Sequence, residues 1–191
     1  MIRIAVVGHL ARTSGDFSVN DLPGSAGRMD VLCRCVNSSF FLSHDLRRDV
    51  ECYLVLCGGP ATDKVIRISG EGVRHLNPDE RSTGALLKKA LSLAVGTSFR
   101  EASPGIQVRC GGLADLAAEF SFALLDEAGD DIRDEPELPE AFLLSDHLNF
   151  TEEERGILSD LPSYSVGPLS LHADHAITVL LNEVDRRRRT I

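Results

Sequence analysis

The stretch from Pro162 to Asp185, PSYSVGPLSLHADHAITVLLNEVD, joins a turn to the start of a helix. Gly167 and Pro168 interrupt the chain after a short apolar run, and from Leu171 onward apolar residues recur at the intervals of three and four that are typical of a helix. A glycine-containing loop that enters a helix offers backbone N–H groups to a polar ligand. An ordinary strand–turn–helix connection has the same pattern, and spacing alone leaves both interpretations open.

Upstream of this stretch, short apolar runs alternate with helical periodicity. Strands are predicted at residues 2–8, 50–57, 64–69, 106–110, 121–126 and 141–145. Helices are predicted at residues 26–43, 82–95 and 113–120, and Thr151 with Glu154 forms a capping box at the start of another. The acidic residues 126–140 are predicted to be an exposed loop or hairpin arm. The alternation indicates one α/β domain, residues 1–191, with a mostly parallel sheet and helices on both faces.

Composition narrows the class of protein. Of 191 residues, 43% are hydrophobic, which is typical of a folded chain, and no apolar run approaches the roughly 18 residues that span a bilayer. The five cysteines lie among apolar neighbours without a CxxC pair, which predicts reduced thiols in a cytoplasmic protein and no structural zinc. A net charge of -9 argues against a surface that binds nucleic acid non-specifically, although local clusters of arginine leave RNA open as a partner.

Three predicted strand exits carry small or polar residues that could share one ligand site. They are Leu124 with Leu125, then residues 145–147, then residues 166–171. Because ligands of open parallel sheets bind beyond the carboxyl ends of the strands, we expect these exits to converge on one pocket.

Two other groups of residues invite a chemical interpretation. His172 and His175 share a helical face, but without an HExxH pattern a metal site is disfavoured, and we expect no metal and a packing or partner role instead. The arginines and aspartates of residues 28–49 suit either a solvated face with ion pairs or phosphate binding, and spacing does not decide between them. A P-loop, GxGxxG and GxSxG are all missing from the sequence, which disfavours nucleotide hydrolysis, Rossmann redox chemistry and serine esterase chemistry.

Several long blocks resemble the archaeal tRNA pseudouridine(54)-N1-methyltransferases, of the knotted SPOUT class. The resemblance covers nearly the whole chain and rests on LPGSAGRMDVLCRCVNSSFFLSHDLRRDV (22–50), LNPDERSTGALLKKAL (76–91), SPGIQVR (103–109), FLLSDH (142–147) and VGPLSLHADHAITVLLNEVD (166–185). It implies a C-terminal trefoil knot, S-adenosylmethionine as cofactor, the T loop of tRNA as substrate and a homodimer.

The resemblance also implies which residues contact the cofactor. Ala176 stands where the family has a cysteine, which puts a thiol role there in doubt, and Ser145 stands where many relatives have glycine. We expect the turn at Gly167 to close tightly on the ligand and to leave no room for a side chain. The implied cofactor residues are Leu125, Ser145, Val166, Gly167, Pro168, Leu169, Ser170, Leu171 and Ala176.

The same resemblance suggests residues for catalysis and for RNA. Asp30 is the candidate base for the N1 proton of pseudouridine, and Arg28 pairs with it in an R-x-D motif that resembles related ribosomal RNA methyltransferases. The RNA candidates are Arg34, Arg47 and Arg48, expected to form one patch with Arg28. The last helix is expected to offer apolar residues on more than one face and so to support the homodimer. The alternatives are a SPOUT methyltransferase for another RNA, such as ribosomal RNA, and a non-catalytic RNA-binding α/β dimer.

Overall fold

The structure, a computed structural model, describes residues 1–59 and 61–188. Within those residues one sheet contains eight strands: β1 Ile2–Gly8, β2 Val50–Leu56, β3 Lys64–Ser69, β4 Arg100–Ser103, β5 Ile106–Cys110, β6 Ala123–Asp131, β7 Ala141–Ser145 and β8 Ser163–Ser165. The strand order is β4-β5-β3-β2-β1-β7-β6-β8. Neighbours from β2 to β8 pair in parallel, which confirms the predicted α/β class with a mostly parallel sheet.

The other half of the sheet, formed by β3, β4 and β5, is antiparallel, and the sequence analysis did not anticipate it. The connection from Leu56 to Lys64 is too short to contain a crossover helix, so β3 can return only antiparallel to β2. Pro104 and Gly105 then make the hairpin turn between β4 and β5, with Gly105 at φ 71°. Chain length between strands therefore decides the direction of pairing here.

Helices cover both faces of the sheet, as predicted. They are α1 Leu22–Ser25, α2 Met29–Phe40, α3 Glu80–Leu91, α4 Leu113–Ala117, α5 Glu152–Leu158 and α6 Ala173–Arg188. One face carries α2, α3 and α6 over the larger apolar core, and the other carries α4 and α5 over a smaller one. None of the helices within the described residues is long and apolar enough to cross a membrane.

The helix α2 shows how the sequence pattern produces the core. Met29, Leu32, Val36 and Phe40 recur on one face, and all four are fully buried against the sheet. The helix is shorter than the predicted 26–43 because its first residue follows two left-handed residues, Gly27 and Arg28, and because Phe41 is extended. The described cysteines are free thiols, and those of α2 and β2 are buried.

The prediction that residues 126–140 form an exposed loop or hairpin arm is wrong for residues 126–131 in one respect, because these residues belong to strand β6. Strand β6 continues to Asp131, but its pairing with β8 shifts between Leu125 and Asp130, so that residues 126–129 bulge out of the ladder. The chain can re-pair because Gly129 packs directly on β8, where a Cβ would lie 2.6 Å from the backbone nitrogen of Tyr164. The bulge places two acidic side chains at the carboxyl edge of the sheet.

Candidate functional site

A cleft of about 370 Å³ opens beyond the carboxyl ends of β6, β7 and β8 and beside the start of α6. The three predicted strand exits therefore converge, as the parallel arrangement requires. All the implied cofactor residues except Pro168 line the cleft. They are Leu125, Ser145, Val166, Gly167, Leu169, Ser170, Leu171 and Ala176. Whether these residues contact a cofactor stays a prediction, but the structure brings them together around one cavity.

The loop from β8 to α6 forms one wall of the cleft. The Ser165 hydroxyl donates to the Gly167 carbonyl at 2.6 Å, and the Gly167 N–H points back to that hydroxyl at 3.3 Å. The φ of Gly167 lies outside the left-handed region, and an added Cβ would meet no atom within 4 Å in the described chain apart from its neighbours. The protein itself leaves open space beside Gly167, and Gly167 lines the cleft, so the expectation that a bound ligand fills this space stays a prediction.

The bulge of β6 forms the opposite wall. Asp126 and Glu127 both line the cleft, and the Ser170 hydroxyl donates to the Glu127 carboxylate at 2.7 Å, which ties the bulge to the loop before α6. Among the described residues that line the cleft, Arg155 is the one arginine or lysine, and its Nε donates to the Phe150 carbonyl at 3.2 Å. The walls thus combine carboxylates with a single guanidinium.

The floor of the cleft is the segment that follows β7. The Asp146 N–H donates to the Val7 carbonyl at 3.0 Å, and the Asp146 carboxylate accepts the Leu148 N–H at 3.0 Å. The Ser145 hydroxyl donates to the Leu148 carbonyl, so its side chain shapes the turn. These bonds fix the backbone of residues 146–150, which lines the cleft.

His9, at the exit of β1, was missed by the sequence analysis. Its Nδ1 lies 2.9 Å from Asp146 Oδ1 and its Nε2 lies 3.0 Å from Glu154 Oε2. The hydrogen bond to Asp146 is the largest influence on this imidazole; together with Glu154 it outweighs burial and raises the pKa of His9 above 6.5. The signal available in the sequence was a histidine directly after the glycine that ends a strand, which is weak by itself.

The catalytic candidates lie at the start of α2, whose Val31 also lines the cleft. Arg28 donates from Nε and Nη2 to the two oxygens of Asp30 at 3.0 and 3.1 Å. Arg34 donates from Nη1 to Asp30 at 3.1 Å and to Glu80 at 3.0 Å. Its Nε lies 3.9 Å from Asp174 near the start of α6. The predicted trio of Arg28, Asp30 and Arg34 is therefore one hydrogen-bonded group beside the cleft.

Backbone conformation and charge both single out this group. Arg28 adopts φ 64°, a conformation that costs a non-glycine residue about 1–3 kcal/mol and is concentrated at functional sites. Burial by itself would raise the pKa of Asp30, but hydrogen bonds from Arg28 and Arg34 outweigh burial and lower it. Asp30 is therefore a fully partnered carboxylate, a geometry better suited to holding two guanidinium groups than to accepting a proton.

Arg47 and Arg48 do not join this group, contrary to the expectation of a single arginine patch. They precede β2 at the amino edge of the sheet, and the 12 residues of α2, about 18 Å of helix, separate them from Arg28. Arg47 donates to Asp185 of α6 at 2.8 and 2.6 Å, and Arg48 donates to the Gly70 carbonyl at 3.0 Å. Both guanidinium groups thus have structural partners, and RNA binding by either stays a prediction.

Comparisons with known proteins show which family the chain belongs to. A family model described as "Putative SAM-dependent RNA methyltransferase" matches residues 1–189. A Methanocorpusculum labreanum protein named tRNA (pseudouridine(54)-N(1))-methyltransferase is 60% identical, with 98% of both chains covered. A Haloferax volcanii protein of the same name is 46% identical, with 97% of this chain and 96% of that one covered.

The fold also has a solved counterpart. Archaeoglobus fulgidus Nep1, in a crystal structure titled as bound to S-adenosylhomocysteine, superimposes with a TM-score of 0.66 at 17% identity, and 98% of each chain is covered. The likeness shows a shared fold, while the match along residues 1–189 and the close relatives show descent. The chain therefore belongs to the family of S-adenosylmethionine-dependent RNA methyltransferases that includes the archaeal tRNA (pseudouridine(54)-N(1))-methyltransferases.

Proposed function

We propose that this protein methylates N1 of pseudouridine at position 54 in the T loop of tRNA, with S-adenosylmethionine as methyl donor. The observation that carries the proposal is the convergence of the three implied cofactor loops on one cleft beside the Arg28–Asp30–Arg34 group. The names of relatives up to 60% identical supply the substrate and the methylated atom. Since tRNA is met in the cytoplasm, a cytoplasmic location is part of the proposal.

The residues of the cleft fit the charges of the cofactor. The volume of about 370 Å³ lies within the range of small-molecule sites. Asp126 and Glu127 would hold the ammonium group and favour the positive sulfonium, and Arg155 would hold the carboxylate. The loop from Val166 to Leu171 would bind the adenosine part through backbone groups. This fit explains why the cleft needs no conspicuous side-chain motif.

The main requirement of methyl transfer is that the protein aligns the nucleophile with the methyl group. Bound S-adenosylmethionine supplies a methyl group that is already activated as a sulfonium. The protein would hold N1 of pseudouridine in line with that methyl group, and as N1 takes up the methyl group its proton would pass to solvent water. We propose that Arg28, positioned by Asp30, stabilises the negative charge that the uracil ring gains as N1 loses its proton, while Arg34, held by the same carboxylate, contacts an RNA phosphate. Asp30 itself stays the candidate base only if it releases one of these arginines.

The experiment that tests the function compares two transcripts of one tRNA, with pseudouridine or uridine at position 54. We expect nucleosides from the pseudouridine transcript to contain N1-methylpseudouridine after incubation with protein and S-adenosylmethionine, and the uridine transcript to stay unmodified. Methylation of ribosomal RNA fragments instead would favour the second enzyme, and binding without transfer would favour a non-catalytic module.

RNA binding should depend on the cleft-side arginines more than on those at the opposite edge. We expect Arg34→Ala to lower the salt dependence of RNA affinity by about one phosphate contact, a slope change of roughly 0.7 to 0.9. Arg48→Ala is the matched control, because Arg48 is similarly exposed but lies at the amino edge of the sheet. Fluorescence anisotropy across salt concentrations measures both, and an equal or larger effect of Arg48→Ala would contradict this ranking.

We also propose that two copies of the chain pair through the cleft mouth and the outer face of α6. Of the apolar residues of α6, Ile177, Leu180, Leu181 and Val184 are buried in the core, whereas Val179 is exposed on another face of the helix. What supports pairing is the exposed apolar surface of Leu169, Leu171 and Val179, which are 75%, 42% and 39% exposed. The second copy would cover this surface.

Sedimentation tests the homodimer directly. We expect a dimer at micromolar concentration, and we expect Val179→Asp to weaken it at least about tenfold, because a buried unpaired charge costs more than 1.4 kcal/mol. Ile157→Asp is the control, since Ile157 is equally exposed, at 41%, but lies on α5. A wild-type monomer at that concentration would contradict the proposal.

A further inference from the structure

His9 occupies an unusual electrostatic position next to the cleft. Its side chain is only 9% exposed, and each of its ring nitrogens faces a carboxylate, Asp146 at 2.9 Å and Glu154 at 3.0 Å. A neutral imidazole has one N–H and can donate to only one of them, whereas the imidazolium donates to both. The geometry therefore favours the doubly protonated ring, which satisfies both carboxylates.

The two contacts of His9, with Asp146 and with Glu154, are called the His9 bridge. This bridge encloses a segment of chain that lines the cleft. Asp146 begins the segment 146–150 that forms the floor, and Glu154 lies in the first turn of α5, just beyond its end. Phe150, the last residue of the segment, packs edge-on against the His9 ring with centroids 6.3 Å apart. Glu154 also accepts the Thr151 N–H at 2.8 Å, which completes the predicted capping box. One imidazolium thus fastens both ends of the floor to the exit of β1.

Several other charged or titratable groups lie near the His9 bridge. From the β7 exit, His147 Nδ1 lies 3.2 Å from Asp146. Asp63, which precedes β3, has a pKa raised by burial and by the charge of Glu154. Cys57, which follows β2, has a thiol pKa raised by burial to about 12. Arg28 is close enough to Asp146 for their charges to interact. Without the proton on His9, the carboxylates of Asp146 and Glu154 would repel each other.

We propose that His9 is a positioning residue for the cofactor cleft: its doubly protonated ring holds the 146–150 floor in the binding shape, and its deprotonation releases one end of the floor from the exit of β1. The inference rests on the proposed function, since it assumes that the cleft binds S-adenosylmethionine.

The sign of the pH dependence follows from the raised pKa of His9. A group whose pKa is higher in the folded chain contributes fully below its unfolded value, 6.5 here, and its contribution is lost as pH rises through the folded value. Stability of the floor and affinity for the cofactor should therefore fall together on the alkaline side. A purely structural histidine would change stability without changing the pH profile of binding.

The first test needs no ligand. We expect nitrogen NMR of the ring to show both nitrogens of His9 protonated at about pH 7, above the pKa of a free histidine side chain. A neutral His9 ring at that pH would overturn the inference whether or not the cleft binds a cofactor.

The second test measures S-adenosylhomocysteine binding by calorimetry at about pH 6 and about pH 8.5. We expect the affinity of the wild-type protein to be at least about fivefold lower at the higher pH, which is the lower end of the range for coupling between two sites. His9→Gln should bind weakly and equally at both pH values, and Glu154→Gln should move the loss of affinity to lower pH. His44→Gln, at an exposed loop position, is the control and should keep the wild-type profile.

The second test can overturn the proposed role of His9 in several ways. Wild-type affinity that does not depend on pH, or a His9→Gln profile like that of the wild type, would overturn the inference. If His9→Gln does not fold, the profile of Glu154→Gln provides the same decision. Failure of the wild-type protein to bind S-adenosylhomocysteine at either pH would contradict the proposed function itself and overturn this inference with it.

Discussion

Gly167→Val is expected to weaken binding of S-adenosylmethionine by roughly 10- to 100-fold, the cost of about 1–3 kcal/mol for overfilling a packed space. The reason is that Gly167 lines the cleft, so a branched side chain has nowhere to go except the volume proposed for the ligand. The fold should be unaffected, because an added Cβ meets no atom within 4 Å in the described chain outside its neighbours and the φ is ordinary. Calorimetry and a melting curve measure the two effects separately.

A matched control makes the result specific to the cleft. Gly96 likewise has open space around an added Cβ and an ordinary φ, but it lies before β4 in the antiparallel half of the sheet. We expect Gly96→Val to bind the cofactor like the wild-type protein. Unchanged affinity in Gly167→Val, with a folded protein, would show that the loop from β8 to α6 does not hold the ligand.

Asp30→Asn is expected to reduce methyl transfer about 100-fold or more while leaving S-adenosylhomocysteine affinity unchanged, since Asp30 is not part of the cleft lining. The amide keeps one acceptor but turns an N–H donor towards a guanidinium, so Arg28 and Arg34 lose their shared anchor. Single-turnover transfer to tRNA and calorimetry with S-adenosylhomocysteine give the two values. Asp45→Asn, which alters an exposed ion pair with Arg48, should change neither.

The pH dependence of Asp30 distinguishes its two possible roles. Because its pKa is lowered below 3.8 by the two arginines, its contribution to stability is present above that pH and lost only as pH falls further. Asp30 should therefore cause no change in the rate of the wild-type enzyme between about pH 5 and about pH 9. Full turnover in Asp30→Asn would show that it neither accepts the proton nor positions the arginines.

Much of the cofactor cleft could be predicted from the sequence, because it is built from consecutive residues. The turn after β8, the exit of β7 and the apolar start of β6 each have a local signature, and parallel strands bring such segments to one edge. The bulge of β6 could not be predicted, since it depends on how Gly129 packs against Tyr164, a residue of a different strand.

Contacts between distant parts of the chain were the harder problem. His9 and Asp146 are 137 residues apart, and neither local sequence contains a pattern that predicts their contact. The arginines presented the opposite difficulty, because proximity in sequence suggested a patch that α2 divides between two edges of the sheet. Sequence spacing predicts which face of one element a residue occupies, but only the topology decides which elements meet.

Transfer of a methyl group from the cleft to N1 of pseudouridine at position 54 can be followed with a labelled cofactor. Labelled S-adenosylmethionine is incubated with tRNA and either wild-type protein or Gly167→Val, and the RNA is digested into fragments for mass spectrometry. We expect the label in the T-loop fragment, on N1-methylpseudouridine, with the wild-type protein and far less with the variant. Label in another fragment would contradict the proposed target, and equal label from the two proteins would contradict the role of the cleft.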